Sequence, residues 1–117
     1  MKTDKELVRL AAKAAGLEIK LFTYDGTAAI LEENSQSRCG VSFNPLFDDG
    51  DALRLAVNLG IQIIPGENYI EAVKPSSRLR QTRFCEMYSA HDNQLAATRR
   101  AIVKAAAEIG ESVGEIE

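Results

Sequence analysis

The sequence predicts an α+β domain with three helices and one mostly antiparallel or mixed sheet of about five or six strands. Three segments place apolar residues at helical spacing between recognisable start and stop signals. The stretches between them alternate polar and apolar residues or run short and apolar, as strands do. Short connections join most of these strands, which favours antiparallel pairing, since parallel neighbours need long crossovers.

The first helix runs from Thr3 to Ala15. Thr3 and Glu6 have the spacing of a capping box, Leu7, Leu10, Ala11 and Ala14 form an apolar stripe, and Gly16 is the stop. A hairpin follows. Leu17 to Tyr24 and Thr27 to Glu33 flank Asp25-Gly26, a pair suited to a tight turn that needs positive φ. Asn34 to Gly40 is a polar loop and a candidate mobile segment, and a strand from Cys39 to Phe43 leaves it.

Asn44-Pro45 ends that strand. Asp48, Asp49 and Asp51 then surround Gly50 at the start of a second helix. Short acidic side chains there accept hydrogen bonds from free first-turn amides and suit the positive end of the helix dipole. Ala52 to Leu59 is apolar except at Arg54 and Asn58, so this helix should be covered on most sides, and Gly60 ends it. Ile61–Ile64 and Tyr69–Lys74 read as strands about a Pro65-Gly66 turn, and Arg78 to Tyr88 as a further strand whose buried face its alternation does not specify. Asp92 caps the last helix, Asn93 to Ile109, with Leu95, Thr98, Ile102, Ala105, Ala106 and Ile109 inward. Gly110 is its stop. The reading is thus one domain over residues 1–110 and a flexible acidic tail over 111–117.

With 117 residues the chain can bury a core without disulfides or metals. Its net charge of −3 argues against a generally basic nucleic-acid binder. Cys39 and Cys85 are widely spaced, the first 16 residues lack a signal-peptide apolar core, and no run is long enough to span a membrane. The expectation is a cytoplasmic protein, off the membrane, with reduced thiols. Nothing in the sequence specifies an oligomeric state, although an open strand such as Ile61–Ile64 would offer a route to self-association.

Candidate chemistry is sparse. The Asp48, Asp49, Asp51 cluster fits no calcium-loop frame, and no phosphate-binding loop accompanies it, so helix capping is the expected role. His91, the only histidine, lies in a turn and is expected to be exposed; neither cysteine has a nucleophile context. No catalytic, cofactor-binding or metal-binding residue is assigned and no cofactor is expected. The outstanding feature is a basic segment. Residues 74–104 hold Lys74, Arg78, Arg80, Arg83, Arg99, Arg100 and Lys104 against Glu86 and Asp92, seven positive and two negative charges in an acidic chain. Arg78, Arg80, Arg83, Arg99 and Arg100 are the candidate partner-binding residues, toward an acidic protein surface or toward phosphates and bases.

MKTDKELVRLAAKAAG at the start, NPLFDDGDALRLAVNLGI in the middle and AATRRAIVKAAAEIG near the end resemble the small phage and prophage proteins with a phage ABA-sandwich domain. The resemblance implies an α/β/α sandwich, an origin in a temperate phage or prophage, and hence the cytoplasm of a bacterial host cell. It implies no activity and carries over no catalytic or ligand residues. The expected function is a non-catalytic accessory protein that binds a host or phage protein. The alternatives are nucleic-acid binding through residues 74–104, and an enzyme whose site follows no recognised motif.

Overall fold

The computed structural model describes residues 3–22, 28–31, 41–74 and 82–116. Three helices and six strands follow in the order α1 (Asp4–Ala14), β1 (Glu18–Phe22), β2 (Ala28–Leu31), β3 (Val41–Phe43), α2 (Asp49–Leu59), β4 (Gln62–Pro65), β5 (Tyr69–Lys74), β6 (Thr82–Met87) and α3 (Gln94–Ile116). The α+β class is as the sequence predicts. The single sheet of five or six strands is not. β1, β2 and β3 form one antiparallel three-stranded sheet in chain order, and β4, β5 and β6 form another.

The division falls at α2. Strands on either side of it pair with their chain neighbours, and no ladder among the described residues joins the two groups. The α/β/α sandwich fails for a related reason. On the second sheet, Ile70 and Ala72 of β5 are buried on the face that α3 covers. The opposite face leaves Ile64, Tyr69 and Met87 between 42% and 52% exposed, so no helix layer covers it there.

The helix ends are built locally. The Thr3 hydroxyl accepts from the Glu6 N–H at 3.2 Å, and the Asp48 carboxylate from the Asp51 N–H at 2.8 Å. Two of the three predicted glycine stops hold. Gly16 and Gly60 take φ of +74° and +68°, and the next amide reaches back five residues, Leu17 to Ala12 and Ile61 to Ala56. This is the Schellman arrangement, which glycine adopts without a Cβ clash. The Lys74 ammonium adds a hydrogen bond to the Leu59 carbonyl at the C-terminal end of α2, where a cation suits the helix dipole. For α3 the cap is Asn93 rather than Asp92: its side-chain oxygen accepts from the Ala96 N–H at 2.8 Å.

Gly110 does not stop α3, which continues to Ile116 through residues read as a tail. Its lack of a side chain serves packing instead. A Cβ at this position would stand 2.0 Å from the carbonyl oxygen of Leu10 on α1. The alanines serve the same end. Ala97, Ala101, Ala105, Ala106 and Ala107 are buried with Ile102 and Val103, because α3 packs on α1, α2, β5 and β6. Small residues on so many sides let the neighbouring backbones approach closely. Leu95, expected inward, is 58% exposed.

On α2, Ala52, Leu55 and Ala56 are buried at helical spacing. Leu53 and Val57, one turn apart, are 57% and 71% exposed. The helix is therefore covered on one side only, rather than on most sides, and its outer surface carries these two aliphatic side chains. The Asp25-Gly26 turn, the Asn34–Gly40 loop and residues 75–81 lie outside the described residues.

Candidate functional site: two surfaces and a set of ion pairs

The acidic cluster comes first, because the chain's densest run of carboxylates is there. Its three side chains diverge. Asp48 caps α2, Asp49 pairs with Arg99 at 2.6 Å, and Asp51 accepts from the Asn44 N–H at 2.8 Å and from Arg54 at 2.7 Å. Each carboxylate has a structural partner, and together they lock the Asn44–Asp48 turn onto the helix it precedes.

Arg83, Arg99 and Arg100 of the basic segment are similarly engaged. Arg99 reaches across to α2, donating to the Leu46 carbonyl at 2.8 Å and to Asp49. Arg100 bonds Asp4 at the start of α1 at 3.0 Å. Arg83 bonds Glu71 on the neighbouring strand at 2.6 Å. Lys104 bonds Glu86 on β6 at 2.6 Å. The cations of α3 thus each tie that helix to a different element. Arg78 and Arg80 lie outside the described residues.

Glu86 is the centre of a half-buried cluster. One carboxylate oxygen accepts from Lys104, and the other lies 2.8 Å from His91 Nε2. Burial pushes the Glu86 carboxyl up, but the hydrogen bonds from Lys104 and His91, with their charges, hold it below the ordinary glutamate value. An ionised carboxylate only accepts, so Nε2 carries the hydrogen. The His91 side chain is 16% exposed, not the open turn residue the sequence suggested. The ring is turned to Glu86, five residues earlier in the chain.

Two surfaces remain for binding. The first is the outer face of the second sheet. The register sets Tyr69 beside Met87, and Glu71 between Ile64 and Cys85, with Arg83 over Glu71. Tyrosine, methionine and arginine are the side chains enriched where proteins meet. Cys85 is exposed; slight burial and then the Glu71 carboxylate, to which its thiol donates at 3.6 Å, push the thiol up, away from the reactive thiolate.

The second surface is a groove of about 220 Å³ where α2, α3 and β4 meet. Ala52 and Leu53 of α2, Leu95 and Ile102 of α3 and Ile63 of β4 make its apolar walls. The Asp49–Arg99 pair is its charged element. The groove lacks the several convergent polar groups that orient a small substrate. The sequence does not mark this groove, because Leu95 reads as inward and α2 as covered on most sides; the available signal is the doubled apolar stripe of α2, wider than one neighbour can cover.

Comparison with protein-family models, curated proteins and solved structures finds no match for this chain.

Proposed function

We propose that this chain is a small accessory protein of a temperate phage or prophage, and that it acts without catalysis by binding a host or phage protein. The phage origin rests on the three sequence segments alone. The binding role is supported by one observation above the others: the outer face of the second sheet presents Tyr69, Met87 and Ile64 to solvent around the Arg83–Glu71 pair. A row of partly exposed apolar side chains with a central arginine suits burial against another protein. Of the candidate residues, Arg83 lies on this face with its side chain 50% exposed. Arg99 and Arg100 act within the fold, which weakens the case for phosphate binding along residues 74–104.

Affinity capture from bacterial host lysate, with the natural chain and a Tyr69→Ser, Met87→Ser double variant, tests the proposal. The expected result is a discrete captured protein whose recovery falls about tenfold or more with the variant, as loss of a central contact requires. Equal recovery by both chains would remove the assigned face. Binding to generic double-stranded DNA that weakens steeply with salt would replace a protein partner by nucleic acid.

A further inference from the structure

We propose that the chain pairs with a second copy of itself through the open edge of β4 and the apolar groove beside it. β4 is the outer strand of its sheet, and no described strand lies on its free side. The phase of its ladder fixes which groups face outward. Gly66 N–H donates to the Tyr69 carbonyl at 2.8 Å, so Gly66 and Tyr69 form a bonded pair. Bonded and non-bonded pairs alternate in an antiparallel ladder. By the β4–β5 register, Ile64 with Glu71 and Gln62 with Val73 are then bonded, and Ile63 with Ala72 is not. The N–H and carbonyl of Ile63 therefore point away from β5.

A two-fold axis beside Ile63 would set these two groups against the same two groups of the second copy and form two reciprocal hydrogen bonds. The junction is self-limiting. The Ile61 N–H is already taken by the Ala56 carbonyl, and Pro65 has no N–H to offer. Two such bonds are weak alone, and the neighbouring surface supplies the rest. The Ile63 side chain lines the groove with Leu53 and Leu95, and Val57 lies one turn beyond Leu53. Joining the strand edges brings this aliphatic patch against its own copy, where each groove can receive side chains from the other α2.

Charge does not oppose a second copy as the occupant. The charged lining of the groove is one cation and one anion bonded at 2.6 Å, so the patch has no net charge with which to repel itself. A two-fold contact is also closed: it ends at the dimer and does not propagate along the free edge.

Sedimentation equilibrium up to ~1 mM, a range that reaches even millimolar dissociation constants, reads the association directly. The expected result is a mass rising from 12.8 kDa toward twice that value. Leu53→Glu and Leu95→Glu, at positions more than half exposed on separate helices, should each weaken dimerisation about tenfold or more while leaving the far-ultraviolet circular dichroism unchanged. Hydrogen exchange at the Ile63 amide should slow in concentrated protein relative to dilute protein. A monomer throughout the range would overturn the proposal, as would a dimer indifferent to both substitutions. An Ile63 amide whose exchange does not respond to concentration would overturn the strand pairing. Since the partner face proposed above lies on the other side of the sheet, failure of either proposal leaves the other standing.

Discussion

Glu86 shows how much a single side chain can hold together here. Its carboxylate joins β6 to α3 through Lys104 and to the turn before α3 through His91. Because its folded pKa is depressed, the group contributes stability that is present above the ordinary glutamate value and lost as pH falls through the lower folded value. Urea midpoints measured from neutral pH down should fall on acidification below about pH 4. Glu86→Gln should start from a lower midpoint at neutral pH and lose less with acid. An acid slope equal to that of the natural chain would show that Glu86 carries none of it. The sequence marks Lys104 and His91 only as a surface cation and a turn residue. Their common partner lies 18 and 5 residues away and becomes visible only once β6 is docked on α3.

Among the elements, α3 departs furthest from its reading. Its alanines and its glycine have the composition of a good helix with a stop, and the helix is indeed there. Which sides are buried depends on what packs around it. Gly110 is the sharpest case, since the Leu10 carbonyl occupies the place a side chain would need. Gly110→Ala should therefore destabilise the fold by about 1–3 kcal/mol despite alanine's better helix propensity, because α1 and α3 must separate to admit a methyl group. Thermal unfolding checks this, and an unchanged or raised midpoint would mean the helices part freely. α2 is the opposite case. Its cap at Asp48 and its stop at Gly60 follow from neighbours in the chain and were legible as such. Its uncovered Leu53–Val57 stripe was not, because an apolar residue carries no mark of whether its covering neighbour exists.

At the scale of the whole molecule, the second sheet and α3 form the centre. β5 is hydrogen-bonded on both sides and buries Ile70, Ala72 and Val73, whereas β6 is an edge strand. Hydrogen exchange should accordingly be slowest in β5 and in residues 101–107 of α3, with β6 opening at lower free energy. β6 amides as slow as those of β5 would contradict this centre. The basic segment belongs to the same scale. Among the described residues, Arg100, Arg99, Arg83 and Lys104 lie within one stretch of sequence but fan out to Asp4, Asp49, Glu71 and Glu86 on four different elements.

By itself the sequence determined that there are three helices, the caps and glycine turns of α1 and α2, the strands and the hairpin between β4 and β5. These depend on hydrogen bonds and φ angles within a few residues of each other, so the local residue types suffice. Only the tertiary structure decided that six strands divide into two sheets, that Gly110 is a contact rather than an end, which face of β6 is inward, and that the arginines of α3 are clamps. Each of these depends on a partner far away in the chain, and alternation or charge at one position does not say which surface will arrive opposite it.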